Sequence, residues 1–131
     1  MKTKIIIPII FLLSSQAVSA NAVDEMFSEY KQSGVTNISE KQGEALWTKS
    51  FKNKKTGQLR SCATCHTSNL KKTGKHAKTG KLIEPMALSI NSKRYTKVKK
   101  IKKWFKRNCK WTFGRECSAQ EQADMLAYLI K

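Results

Sequence analysis

Four stretches of this chain carry the spacing of apolar positions, or the end signals, that mark helices. The first is 22–32, where Asn21 serves as N-cap, Asp24 and Glu25 occupy the opening turn and Gly34 lies just past the end. The second opens at Ser39 with Gln42 as a capping box, and Gly43, Leu46, Trp47 and Phe51 share one side. The third is capped by Thr96 and runs to about Asn108. At about 100° per residue, Val98, Ile101, Trp104, Phe105 and Asn108 fall within one third of its circumference, while Lys99, Lys100, Lys102, Lys103, Lys106 and Arg107 take the other side. The last begins at a second capping box, Ser118 with Glu121, and sets Ala119, Ala123, Leu126, Leu129 and Ile130 on one face.

Between these helices, 52–57 reads as a loop, 67–81 as a polar, basic surface loop punctuated by Gly74 and Gly80, and 84–88 as a short extended segment held by Pro85. No internal repeat and no strand pattern is evident. The expectation is an all-α domain.

The first twenty residues alter that picture only by removing themselves. Lys2 and Lys4, an apolar run over 5–13 and Val18-Ser19-Ala20 have the layout of a cleaved export signal, leaving 21–131 as one small domain in the periplasm. An exported chain meets an oxidising compartment, so Cys109 and Cys117 are free to pair there. Between Lys49 and Arg115 stand 21 basic residues and one acid, Glu84. Outside the cytoplasm that charge suits an acidic redox protein, with at most peripheral contact to an anionic membrane, rather than nucleic acid.

The chemistry is concentrated in Cys62-Ala63-Thr64-Cys65-His66. Two thiols three positions apart, with histidine immediately after, suit covalent attachment of one haem c: Cys62 and Cys65 add to its vinyl groups and His66 takes the proximal side of the iron. A zinc site would need a second ligand pair, and Cys109 and Cys117 are eight apart with no histidine near them. A redox dithiol would come with a strand-rich pattern, which is lacking.

Three residues compete for the sixth iron position. Met86 is the default of an electron-transferring cytochrome c. His76 lies in the lysine-rich loop. Asn108 is the one polar residue on the apolar stripe of its helix, and a buried amide needs a partner. Met26 and Met125 read as core packing.

The segments 60–66, 78–87, Lys103-Trp104-Phe105-Lys106-Arg107-Asn108-Cys109 and Gly114-Arg115-Glu116-Cys117 resemble the sphaeroides haem protein family, small periplasmic c-type cytochromes of class I-like fold, over about residues 43–131. The resemblance implies that Asn108 coordinates ferric haem, that Cys109 and Cys117 form a disulfide beside it, and that on reduction the asparagine lets go and the ferrous iron binds oxygen, nitric oxide or carbon monoxide. It also implies a dihaem cytochrome c as electron partner. The chain departs from the family pattern at Met86 and His76.

The leading expectation is therefore a cytochrome whose ligand site opens on reduction. No distal general acid is committed to turnover, so an enzymatic use of that site is left open. The alternative is an electron carrier with His66 and Met86 as axial ligands, and a third class is a basic docking module in which haem is only structural. Lys99, Lys102 and Lys106 are the expected docking residues for the acidic partner.

Overall fold

A computed structural model describes residues 21–131; the expected export signal over 1–20 lies outside them. The order of elements is α1 (Ala22–Gln32), α2 (Glu40–Thr48), β1 (Phe51–Lys52), β2 (Leu59–Arg60), α3 (Ala63–His66), β3 (Gly74–Lys75), β4 (Leu82–Ile83), α4 (Val98–Phe113) and α5 (Ala119–Leu129). Helices carry the fold, as the sequence predicts.

Helix α1 begins where expected, with the Asn21 side chain accepting from the backbone of Val23 and Asp24. The α5 capping box also forms in full. At α2 the box is only half made. Ser39 Oγ accepts from Gln42 N, but the Ser39 N–H goes to Asp124 Oδ1 on α5 at 2.7 Å. That bond belongs to a very close helix crossing, because a Cβ on Gly43 would lie 2.0 Å from the Asp124 carbonyl oxygen.

Helix α5 sits at the centre. With α1 and α4 it buries Met26, Tyr30, Val35, Ile101, Ala123 and Leu126. With α2 it buries Trp47, Tyr128 and Leu129 around Leu70 and Ala87. Met26 and Met125 are packing residues, each 1% exposed.

Three expectations are corrected. Helix α4 starts one residue after Lys97 with no side-chain cap, and it continues past Asn108 to Phe113, where Gly114 at φ 72° ends it in the left-handed conformation. The apolar face extends to Thr112 and Phe113, so the helix has reason to propagate. Phe51, expected on α2, instead lies in β1 and stacks on Phe113 with ring centroids 4.3 Å apart.

The third correction concerns the two basic loops, which are β-hairpins. Phe51 pairs with Arg60 and Lys52 with Leu59; Gly74 pairs with Ile83 and Lys75 with Leu82. Their sequences are alike too. Lys52-Asn53-Lys54-Lys55-Thr56-Gly57-Gln58-Leu59 and Lys75-His76-Ala77-Lys78-Thr79-Gly80-Lys81-Leu82 agree at five of eight positions, a short internal repeat. The turns match in detail. Asn53 Oδ1 accepts from the amides of Lys55 and Thr56, and His76 Nδ1 accepts from those of Lys78 and Thr79. Gly57 and Gly80 both take φ near 70°, conformations that glycine adopts without strain.

Candidate haem site

Helix α3 is one turn long and is fixed at its start by a reciprocal exchange: Ser61 N donates to Thr64 Oγ1 at 2.9 Å and Thr64 N to Ser61 Oγ at 3.1 Å. This holds Cys62 and Cys65 on a common turn. At its end Thr67 adopts φ 65°, an uncommon value for a β-branched residue. It is held there by its N–H on the Ala63 carbonyl and its hydroxyl on the Asn69 carbonyl.

Two long helices fasten the backbone just beyond His66. Trp47 Nε1 on α2 donates to the Thr67 carbonyl at 2.9 Å, and Tyr128 OH on α5 to the Ser68 carbonyl at 3.1 Å. The Trp47 ring lies 5.4 Å from that of His66, so α2 places an aromatic wall beside the imidazole. From the other direction β3 presses down. A Cβ on Gly74 would meet the Cys65 carbonyl oxygen at 2.2 Å, and Ala77 N lies 3.3 Å from Cys65 Sγ.

The electrostatics suit a metal ligand. Burial, with the positive charge of Arg94 and then His76, lowers the His66 pKa to about 4, leaving a neutral imidazole. Its Nδ1 is buried with no hydrogen-bond partner among the described residues, so no described residue ties the imidazole through that nitrogen. Burial pushes the Cys62 thiol up to about 11, with Thr112 beside it pulling the other way, so it stays protonated. Both Cys62 and Cys65 are free and half-buried. Apolar groups surround them: Cys62, Ala63, Met86, Tyr95 and Phe105 all pack on the cluster of Trp47, Leu70 and Ala87. These residues fit haem c, with the two thiols as attachment points and His66 as axial donor.

The competing sixth ligands are placed differently. His76 is exposed, and its Nδ1 is spent on the hairpin turn. Met86 is half-buried in the cluster that holds Trp47 and Cys62. Its backbone is clamped: Met86 N donates to the Leu70 carbonyl, Tyr95 OH donates to the Met86 carbonyl at 2.9 Å, and Arg94 donates to the carbonyls of Glu84 and Pro85 just before it. Asn108 is half-buried, with Nδ2 donating to the Trp104 carbonyl at 2.9 Å. The sequence predicts it at a helix end, whereas it lies in the interior of α4, which runs on to Phe113. Phe105 and Cys109, either side of it, share a cluster with Cys62. Cys109 and Cys117 are joined, Cα atoms 5.6 Å apart, and both are buried.

The expected docking lysines of α4 are partly engaged. Lys102 pairs with Glu29 at 2.6 Å, and Lys106 lies 3.9 Å from Glu116, which also takes Lys110 at 3.2 Å; Lys99 has no such partner among the described residues. Sequence reasoning missed Arg94, Thr112 and the two close-packed glycines. Only Gly74 had a signal, since it interrupts a basic run shortly after the motif.

Residues 33–129 match a family model described as a domain of unknown function, DUF1924. Cytochrome c'' of Methylophilus methylotrophus is 34% identical over 99% of this chain and 95% of its own length. The cytochrome c-type protein SHP of Cereibacter sphaeroides is 42% identical over 69 residues, 53% of each chain. Among solved structures, oxidised cytochrome c'' superposes with a TM-score of 0.75 at 30% identity, covering 84% of this chain and 94% of its own. Oxidised SHP, described as an oxygen binding cytochrome c, gives 0.73 at 32%, covering 82% and 95%. Among the described residues no helix is long and apolar enough to cross a membrane. The chain belongs to the family of monohaem c-type cytochromes that includes cytochrome c'' and the sphaeroides haem protein, and its cofactor is haem c.

Proposed function

We propose that this chain is a periplasmic cytochrome in which Asn108 supplies a weak sixth ligand to oxidised iron and withdraws when the iron is reduced, giving small diatomics access. A bound haem c supplies a one-electron iron couple and an exchangeable sixth coordination position. Everything else is done by the chain.

The observation that carries the reading is how Asn108 is held. Its amide nitrogen is committed to the Trp104 carbonyl, and its oxygen takes no hydrogen bond from a described residue, so the oxygen is the end left for a metal. An amide oxygen is a hard, neutral and weak donor that favours ferric over ferrous iron, whereas a thioether has the opposite preference. The α4 backbone, tied by the disulfide four residues before its end, keeps the side chain near enough to return.

The rivals are weaker on the same grounds. His76 is occupied by its turn. Met86 packs on the cluster of Trp47, Leu70, Ala87, Tyr128 and Leu129, and its thioether would favour ferrous over ferric iron. The relatives agree in kind: one is described as binding oxygen, and the solution structure of cytochrome c'' is discussed in terms of haem-ligand detachment. The resemblance further suggests a dihaem cytochrome c as the electron donor.

Anaerobic reduction and then rapid mixing with carbon monoxide tests the reading. Fast binding is expected in the ferrous form. Absence of binding, together with the red-region charge-transfer band of a sulfur ligand in the ferric form that Met86→Ala abolishes, would establish the simple His66 and Met86 carrier instead.

A further inference from the structure

The two hairpins are the same device built twice, and folding explains only half of it. The turn needs a capping side chain (Asn53, His76) and a glycine (Gly57, Gly80). It does not need the lysines and leucine that are also repeated: Lys52, Lys55 and Leu59 in the first, and Lys75, Lys78 and Leu82 in the second.

Cross-strand partners share a face. In the first hairpin Phe51 and Arg60 face the body of the protein, Phe51 on Phe113 and the Arg60 guanidinium 4.5 Å over the Trp111 ring. In the second, Gly74 faces α3 and its partner Ile83 is half-buried. Lys52 with Leu59, and Lys75 with Leu82, therefore make the outer faces. There the two leucines are 68% and 78% exposed, the two most exposed large apolar side chains among the described residues.

The charge on these hairpins is also uncompensated. Residues 49–83 contain ten basic residues and no acid, and none of them enters an ion pair among the described residues. On α4, by contrast, Glu29 and Glu116 engage Lys102, Lys106 and Lys110.

We infer that the outer faces of the two hairpins are docking contacts for an acidic one-electron donor protein, with Leu59 and Leu82 each an apolar anchor among unpaired lysines. The placement suits electron delivery. The hairpins bracket the haem-attachment motif in the chain, and the second one touches it, Ala77 N lying 3.3 Å from Cys65 Sγ. Unpaired lysines speed encounter with an acidic partner, and small apolar anchors hold it without making a permanent complex. The donor loses one electron and the ferric iron gains it, with no group transferred.

This inference rests on the reading of the chain as an electron-accepting cytochrome, and dithionite alone, which needs no docking, reports on that reading separately. The test is stopped-flow reduction of the intact haem-loaded protein by a reduced plant-type ferredoxin, an acidic one-electron carrier, over a range of salt. The combined variant Lys52→Gln, Lys55→Gln, Lys75→Gln, Lys78→Gln is expected to slow the bimolecular step about tenfold at low salt and to flatten its salt dependence. Leu59→Ser with Leu82→Ser is expected to slow it about threefold, with the salt dependence kept. Dithionite reduction should be unchanged in both, which also shows that the variants are folded and loaded. Neutralising Lys99, Lys100 and Lys103 on α4 is expected to change the rate less than about twofold. An equal or larger effect from the α4 variant, or none from the hairpin variants, would overturn the assignment. So would loss of binding to phosphatidylglycerol vesicles with ferredoxin rates intact, which would make the surface a membrane contact.

Discussion

The two sides of the haem-attachment turn are built on opposite principles. On the side of α2 and α5, the helices approach until Gly43 has no room for a methyl group, and Trp47 and Tyr128 each fasten a backbone carbonyl within two residues of His66. On the side of α4, the Asn108 side chain has a single hydrogen bond, made within its own helix, and Trp104 one turn earlier is 47% exposed. The first side fixes the backbone beside His66 through buried, tightly packed neighbours. The second holds Asn108 on a backbone tethered by the Cys109–Cys117 disulfide, but its side chain makes no hydrogen bond outside its own helix. Under the proposed function one axial bond is kept and the other given up, and an asymmetry of helix packing of this kind suits that division.

The comparison breaks most severely at Gly43. Gly43→Ala forces a methyl group into the Asp124 carbonyl and is expected to cost about 3 kcal/mol or more, read by urea unfolding of the haem-loaded protein. On the α4 side, replacing Cys109 and Cys117 together by serine removes a short loop closure worth about 2 to 3 kcal/mol. That variant should also bind added imidazole faster in the ferric state, because the segment carrying Asn108 is no longer tied. Trp47→Phe keeps the ring but loses the bond to Thr67, and should cost about 1 kcal/mol without opening the iron to ligands. A change that opened the site from the α2 side would contradict the division of labour.

The smallest effect serves as a control at the start of α5. Arg115 hydrogen-bonds the Glu121 carboxylate and holds its pKa below the ordinary carboxylate value. The stability this supplies is whole above the unfolded-state pKa of a glutamate and is lost as pH falls through the lowered folded value. Glu121→Gln should cost about 0.5 kcal/mol near neutrality and blunt that acid dependence, leaving the haem spectrum alone.

The sequence made the attachment motif and the first and last helices legible because each rests on local chemistry. Cys62, Cys65 and His66 announce themselves by spacing, and Asn21 and Ser118 by capping. What it concealed depends on residues far apart. The run past Asn108 is obscured because the stripe of apolar positions ends there in the sequence, although Thr112 and Phe113 keep the helical face going to Gly114. The hairpins were hidden because strands of two residues have too few positions to show alternation, and because a turn capped by Asn53 resembles one capped by His76 only once both sets of hydrogen bonds are seen. The half-made box at Ser39 could not be foreseen, since its second partner, Asp124, comes from the other end of the chain.

The most direct test compares absorption spectra of wild type and Asn108→Ala in the ferric and ferrous forms, each with and without carbon monoxide. Asn108→Ala should turn ferric iron into an open, ligand-accepting form, while the two ferrous forms bind carbon monoxide equally fast. A ferric spectrum unchanged by Asn108→Ala, with slow or absent carbon monoxide binding in both reduced proteins, would contradict the claim that Asn108 guards the sixth position.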